Sequence, residues 1–298
     1  MTGLNRITKL KEYVLSERIS DKLTEELRKN TGRSDFFTVF LSVCNKKERA
    51  KVFHGSGNTI RAAWGNAEKR LDEYRKKQIA KKKTLSAIWA KADIVTHYEE
   101  IPATDLNGIV ANYQWHNFAR IGLSFDANFN KAFIEAEVNG NKMLINSFSQ
   151  EDISSGNIDY SSMIINIDNV NHYLKTYYGI SPIPEVPERI IIFTARCFFC
   201  GDDDVTRELY CDNIDYGRRR IDLVDDNVIN EVIVGASEYL VKLIGDDGRF
   251  IYGYFPVFGT LISGYNILRH VSTIWSIINL YRISGDTNLI PKLEKAIE

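Results

Sequence analysis

Apolar positions in the first 80 residues predict a helix, a β-hairpin and a second helix. Between residues 8 and 29 they recur at helical spacing on one stripe between charged faces. Two runs rich in aromatic and β-branched residues, 36–43 and 50–54, flank a polar turn and predict a hairpin. Residues 55–59 then break the strand and supply polar N-cap side chains for a helix that we expect to reach about residue 77.

Further strands are expected in the middle of the chain, where apolar residues alternate or run continuously. They cover residues 94–101, 119–125, 189–199, 208–211 and 220–224. Residues 189–199 are predominantly apolar, which predicts a strand buried on both faces at the centre of a sheet. The spacing within residues 168–178 predicts a short helix.

The last quarter of the chain has the periodicity of helices. Helical spacing covers residues 227–243, 265–283 and 286–298, and an aromatic stretch, residues 250–258, separates the first two helices. We therefore expect an α+β fold. A mixed region of β-hairpins and helices takes up residues 1–224, and a helical segment with a helical hairpin takes up residues 225–298.

Composition and charge narrow the setting of the protein. Of its 298 residues 44% are hydrophobic, which is enough to bury a sizeable core. The formal net charge of -1 provides no long-range field that recruits nucleic acid or an anionic membrane. The start of the chain lacks the apolar stretch of a secretory signal, and no run of about 18 apolar residues occurs, so we expect no membrane span. With four cysteines and no export signal, we expect a cytoplasmic protein with reduced thiols.

Residues 247–286 contain an aromatic loop, a helix with a polar start and a Gly-Asp turn. This segment resembles the first helical hairpin of the (α/α)6 toroid domains of sugar-active proteins such as glucuronyl C5-epimerases, N-acylglucosamine epimerases and six-hairpin glycosidases. The residues that match the toroid's mouth are Tyr252, Tyr254, Tyr265, Asn266, Arg269 and His270. A whole toroid contains six hairpins and this chain holds about one. Either the chain is the N-terminal part of a longer protein, or its helices close another fold.

The resemblance implies a sugar or uronate site in which the three tyrosines and the asparagine bind substrate and Arg269 and His270 are catalytic. Aromatic faces stack on the C–H surfaces of sugars, and an arginine can give a carboxylate two parallel hydrogen bonds. Arg269 disfavours the charged form of its neighbour His270, which suits a neutral imidazole acting as a base. The alternative is that these side chains pack, cap the helix or pair with a nearby carboxylate.

Glu135 and Glu137 are second-choice catalytic residues. If their segment is extended, they share one face with Asn139, where paired carboxylates can serve as acid and base or hold a divalent cation. On a helix the two side chains splay apart. The alternative is a solvated polar face followed by a turn at Asn139 and Gly140.

Cys197, Cys200 and Cys211 would need a fourth ligand such as His172 to form a zinc site. Cysteines on a buried apolar strand instead behave as small hydrophobes, so we expect neither a metal nor a cofactor. Residues 54–57 offer a weak anion-binding loop, since they lack the lysine and spacing of a P-loop.

Two basic runs occupy residues 75–83 and 218–220. Each is explained by a solvated helix end or by nearby acidic residues, and nucleic acid is the less favoured partner because aromatic residues are sparse there.

The leading functional hypothesis is a carbohydrate-related protein, the N-terminal part of a sugar-active enzyme of the epimerase or hydrolase type. The alternative is a non-catalytic binding or assembly module that docks a partner protein through the aromatic loop 250–258. An open reading frame that continues with repeated helical hairpins favours the enzyme, and a natural stop at residue 298 favours the module.

Overall fold

The structure is a computed structural model that describes residues 4–45, 48–80, 89–110, 119–146, 154, 163–211 and 215–298. It forms two compact units, Met1–Arg220 and Ile221–Glu298, each with its own buried core. A curled antiparallel sheet with packed helices, followed by a C-terminal helix pair, confirms the α+β class. Within the described ranges no helix combines the length and the apolar character needed to cross a membrane.

Nine strands are described in the first unit. They are β1 (Phe37–Cys44), β2 (Lys51–Gly57), β3 (Trp89–Pro102), β4 (Gly122–Ser124), β5 (Ala132–Phe133), β6 (Leu144–Asn146), β7 (Met163–Ile165), β8 (Arg189–Cys200) and β9 (Thr206–Glu208). The main sheet has the order β2-β1-β3-β8-β4-β5, and β9 also pairs with β8, while β6 and β7 form a separate pair. All pairings are antiparallel.

Strand β8 confirms the prediction of a buried central strand. It pairs with β3 along its length on one side and with β4 and β9 on the other. The predicted hairpin is also confirmed as β1 and β2. The sheet curls so far that Phe40 of β1 stacks on Phe193 of β8, with 5.5 Å between ring centroids, although β3 lies between the two strands.

Six helices are described in the first unit. They are α1 (Leu4–Val14), α2 (Glu17–Thr31), α3 (Ile60–Ala80), α4 (Leu106–Val110), α5 (Glu135–Gly140) and α6 (Ile167–Tyr173), and α6 continues as a π-helical turn, Leu174–Tyr178. The first three cover one face of the sheet, where Leu10, Leu23 and Trp64 are buried. Helix α3 lies so close to β2 that a Cβ on Gly55 would stand 2.6 Å from the carbonyl oxygen of Ala63. Only glycine allows this approach.

Three sequence predictions need correction. The single helix expected over 8–29 is two helices, because Ser16 adopts an extended backbone and its hydroxyl bonds back to the carbonyl oxygen of Tyr13. Strand β4 is shorter than the expected 119–125. Residues 220–224 form no strand; pairing next to them is limited to one bridge between Leu209 and Arg219.

The second unit is mainly helical. It contains α7 (Asp226–Lys242), a small hairpin of β10 (Tyr254–Phe255) and β11 (Thr260–Leu261), α8 (Ile267–Ser284) and α9 (Ile290–Ile297). Val241, Ile277 and Leu293 belong to the core that these helices share. Gly285 adopts the left-handed conformation with φ 65 and ends α8 at the predicted position.

Candidate functional site

His270 lies at the start of α8, and both of its ring nitrogens are hydrogen-bonded. Nε2 lies 2.8 Å from the carbonyl oxygen of Ala296, and Nδ1 meets the hydroxyl of Tyr265. Because a carbonyl oxygen can only accept, Nε2 donates to Ala296, so Nδ1 accepts from Tyr265 when the ring carries one proton. Phe250 packs edge-on against the imidazole at 5.3 Å between centroids. The predicted base is therefore held in one tautomer, with its lone pair directed at a tyrosine hydroxyl.

Two arginines near His270 form cation–π contacts with tyrosine rings. The guanidinium of Arg269 lies 5.1 Å from the centroid of the Tyr252 ring, and that of Arg249 lies 5.5 Å from the centroid of the Tyr265 ring. Asn266 has a structural role, since its Oδ1 accepts the backbone N–H of Arg269 at 3.1 Å and caps α8. The structure thus brings Tyr252 and Tyr265, together with Arg269 and His270, to one end of α8.

Tyr254, the remaining predicted sugar-binding residue, lies on the hairpin of β10 and β11. Its side chain is 52% exposed, and Phe255 and Leu261 on the same hairpin are also exposed. Single exposed apolar residues are ordinary on proteins, but a contiguous group marks a contact surface. The aromatic loop is therefore open to a ligand or a partner.

Helices α7 and α8 each present an exposed apolar stripe in addition to their buried face. The stripes consist of Ile229, Val232 and Tyr239 on α7, and of Leu268, Val271 and Trp275 on α8. Spacings of three, four and seven residues place each set on one side of its helix. Nothing among the described residues of this unit buries either stripe.

Glu137 lies on a helix, and its carboxylate is enclosed by donors. Oε1 accepts from the hydroxyls of Tyr173 at 2.8 Å and Tyr178 at 2.7 Å, and Oε2 accepts from the backbone N–H of Ile134 at 3.0 Å. Burial raises the pKa of Glu137, and the two tyrosine hydroxyls oppose that rise. The extended arrangement considered from the sequence is thus replaced by α5, whose N-terminus the Glu137 side chain caps.

Glu135 has a different set of partners. Its Oε1 accepts 2.6 Å hydrogen bonds from Arg120 Nη1 and from Asn139 Nδ2. Burial raises the pKa of Glu135, and Arg120 opposes the rise. The two carboxylates do not share a site, because residues two positions apart on a helix point in different directions.

The cysteines do not converge on a metal. Cys197 packs with Leu209 and Tyr216, whereas Cys200 belongs to the core under α1–α3, as expected for opposite faces of one strand. Cys211 Sγ accepts the backbone N–H of Cys197 at 3.2 Å. No group of three potential metal ligands occurs in the part of the chain that the structure describes.

His54 on β2 is buried and neutral. Arg70 Nη1 lies 2.9 Å from its Nε2, which must therefore accept the hydrogen bond. Burial lowers the pKa of His54 to about 4, and the charge of Arg70 acts in the same direction. The glycines of residues 54–57 are explained by the close packing of β2 on α3 rather than by a bound anion.

The basic runs carry local ion pairs where the structure describes them. Arg75 pairs with Asp72 at 2.9 Å, and Arg218 pairs with Asp215 at 3.0 Å. Residues 81–83 lie outside the described residues. These contacts agree with a solvated helix end and a solvated loop.

The sequence did not indicate the tyrosine partners of Glu137, the contact of His270 with Ala296, or the place of Arg249 over Tyr265. Tyr173 and Tyr178 come from a distant helix, and Arg249 stands apart from the helix start that it flanks. An arginine directly before an aromatic loop is a weak local signal that could have found Arg249. No protein-family model, no curated protein and no solved structure matches the chain.

Proposed function

We propose that the start of α8 and the preceding aromatic loop form a uronate site of a sugar-active protein. In this proposal α8 and α9 are one helical hairpin of an (α/α) toroid. The observation that carries the proposal is the line of contacts from Arg249 through Tyr265 to His270, with Arg269 beside it. A carboxylate-bearing sugar needs a cation, a flat aromatic face and a proton-transfer group. Arg269, the ring of Tyr252 and the Tyr265–His270 pair are the candidates for these three groups.

Arg269 is the cation best placed for the carboxylate. It is exposed and stacks on Tyr252, and it forms no salt bridge with the described residues. Its planar fork therefore keeps donors for a bidentate carboxylate contact. Tyr252 and Tyr254 supply ring faces on which the sugar can stack.

Tyr265 is the proton-transfer group that the geometry favours. Its hydroxyl proton can pass to Nδ1 of His270, which leaves a phenolate that can take a proton from the substrate. The imidazolium formed keeps its Nε2 hydrogen bond to Ala296 and gains stabilisation from that carbonyl oxygen. In this assignment His270 activates Tyr265 and Arg269 holds the substrate, while Glu135 and Glu137 hold the first unit together.

Binding is tested by calorimetry with glucuronate and galacturonate, with glucose as the uncharged comparison. We expect both uronates to bind and Arg269→Ala to weaken them about tenfold, the loss of one charge-assisted contact. Arg282→Ala is the matched control, because Arg282 also stacks on an exposed ring, that of Trp275, but in the last turn of α8. Equal binding of glucose and uronates, or equal losses in both variants, would overturn the site.

Chemistry is tested separately in deuterated water with uronate oligosaccharides. An epimerase exchanges a ring proton for deuterium, and a hydrolase releases new reducing ends. Tyr265→Phe should abolish either activity with little change in binding, because it removes only the hydroxyl. A variant that stays fully active would show that Tyr265 transfers no proton.

The exposed stripes and the aromatic loop favour a second candidate, an assembly module. Helical hairpins that cannot bury an apolar face alone stack on hairpins of the same kind, so the occupant proposed is a second copy of this chain. Sedimentation should then show self-association that Leu268→Gln and Phe255→Gln weaken. Ile283→Gln is the control, because the exposure of Ile283 lies between those of Leu268 and Phe255 and its side chain lies off the stripe. A wild-type protein that stays monomeric at high concentration would exclude this candidate.

A further inference from the structure

A cavity lies in the first unit beside the edge strand β2. Its volume is ≈ 280 Å³. That is larger than a cavity of about 150 Å³ that takes benzene, and close to the lower end of the range for small-ligand sites. Strands β1, β2 and β3, helix α5 and Tyr173 contribute to its wall. The cavity has the size for a small compound with one ring system.

Most of the wall is apolar. Trp89 and Phe199 meet edge-on at 5.8 Å between centroids, and Val52, Ile134 and the ring of Tyr173 complete the apolar part. Aromatic walls favour a flat ring through offset or edge contacts. The apolar part of a ligand therefore has an aromatic environment.

Ser42 places a polar group in this wall. Its side chain is 8% exposed, and its Oγ is buried with no hydrogen-bond partner among the described residues. A buried hydroxyl without a partner is costly, and buried polar groups in native proteins are nearly always paired. A ligand with an acceptor at this position would satisfy it.

The charges on the wall favour an anion. Two cationic side chains, Arg49 and Lys91, and one carboxylate, Glu137, line the cavity. Lys91 is neutralised by Asp93, and the oxygens of Glu137 are occupied by tyrosine and backbone donors. Arg49 Nη1 donates to the neutral amide of Asn141 at 2.6 Å, and Arg49 forms no salt bridge with the described residues. Its charge acts on Glu137 only by opposing the rise in the pKa of that carboxyl group.

Arg49 is also held in position. Its guanidinium lies 4.8 Å from the centroid of the Tyr173 ring and 5.2 Å from that of Tyr177. A stacked guanidinium keeps the N–H donors of its edge outside the ring contact, so the donors that Asn141 does not take can bind a carboxylate. Ring stacking and the Asn141 contact together fix the direction of that fork.

We propose that this cavity binds a small aromatic monocarboxylate, whose ring lies against Trp89 and Tyr173 and whose carboxylate accepts hydrogen bonds from Arg49 and Ser42. The site lies wholly in the first unit and is independent of the uronate site. Its failure would leave the proposed function of the second unit unchanged.

The test uses phenylacetate and indole-3-acetate, with phenylacetamide as the uncharged analogue of the first. Binding is followed through the indole N–H signal of Trp89 in nuclear magnetic resonance spectra and by calorimetry. We expect saturable binding of the acids and about tenfold weaker binding of the amide, which cannot form the charge-assisted pair. Absence of saturable binding, or equal binding of acid and amide, overturns the proposal.

Variants locate the site. Arg49→Met should weaken phenylacetate about tenfold, and Ser42→Ala should weaken it by a smaller factor, as expected for a neutral hydrogen bond. Arg33→Met is the matched control, since Arg33 also lies over a ring, that of Phe36, and does not line the cavity. Should Arg49→Met fail to fold, Ala136→Leu decides, because Ala136 lines the cavity from an exposed position and a larger side chain there blocks it. Unchanged affinity in Ala136→Leu contradicts the site.

Discussion

Lys91 Nζ lies 2.6 Å from Asp93 Oδ1, and the two side chains share a face of β3 because they are two positions apart. Asp93 is fully buried and also accepts a hydrogen bond from the thiol of Cys197 at 3.0 Å. Burial works against the charged form of Lys91, but Asp93 outweighs it and the pKa of Lys91 is raised. Lys91 and Asp93 therefore form a charged pair inside the sheet, in which each charge compensates the other.

Removing one member should cost more than removing both. Lys91→Met leaves Asp93 charged and unpaired, and should lower the free energy of unfolding by about 3–5 kcal/mol. The double variant Lys91→Met with Asp93→Asn should recover part of this loss. Urea unfolding measures both, with Arg189→Met as the control for an exposed pair, expected to cost at most about 1 kcal/mol. Additive losses in the double variant would show that the two side chains do not stabilise each other.

Glu137 should make stability fall as pH rises. Its pKa is raised in the folded protein by burial, so the folded state binds the proton more tightly than the unfolded chain. This contribution is fully present below the ordinary pKa of a glutamate and is lost as pH rises through the folded pKa. Glu137→Gln should lack this slope, and should lose about 1–3 kcal/mol because the amide cannot accept from all three donors. Urea unfolding from about pH 4 to about pH 8 tests both statements.

The control for Glu137 is Glu100→Gln. Glu100 is 59% exposed in its pair with Arg189 at 3.4 Å, so the change should stay within about 0.5 kcal/mol. A pH profile of Glu137→Gln identical to that of the wild type would show that the slope arises elsewhere.

Two glycines should respond to alanine with opposite signs. Gly55→Ala drives a Cβ against the backbone of Ala63 and should destabilise the protein by more than about 1 kcal/mol. Gly65→Ala faces open space within α3 and should stabilise it by about 0.5–1 kcal/mol. Thermal unfolding compares the two directly. A neutral Gly55→Ala would mean that β2 and α3 are not packed this closely.

Cys211 should be the more reactive thiol of its pair. The hydrogen bond from Cys197 lowers the pKa of Cys211, with Arg196 adding to the effect, while burial raises that of Cys197. Iodoacetamide at neutral pH followed by peptide mass spectrometry should therefore label Cys211 well before Cys197. Arg196→Met should slow the labelling of Cys211. Equal rates for the two thiols would contradict the assigned direction.

The sequence predicted elements that depend on local patterns. The hairpin β1–β2, the central strand β8, helix α3 and the stop at Gly285 follow from runs, spacing and turn residues within a few positions. The break at Ser16 was missed because the apolar stripe continues across it. The extended backbone of Ser16 and the bond from its hydroxyl to Tyr13 show the bend. Tertiary packing, rather than the local pattern, decides whether such a stripe forms one helix or two.

The candidate sites depend less on local pattern. The cluster of Arg269 and His270 was predicted because its members are close in the chain, but the capping of His270 by Ala296 comes from another helix. Glu137 was predicted as an acid/base residue because an extended segment would place it on one face with Glu135. Its structural role was missed because its partners Tyr173 and Tyr178 lie far along the chain. The cavity beside β2 gave no signal at all, since its wall draws on six separate segments of the chain.

The bond from Arg70 to His54 has a consequence for proton uptake. With a pKa of about 4, the buried imidazole stays uncharged throughout the physiological range. The edge strand β2 therefore keeps the same charge whether the surroundings are mildly acidic or neutral. In a pH titration of the histidine ring signals, those of His54 should therefore not shift until the pH is low enough to destabilise the sheet.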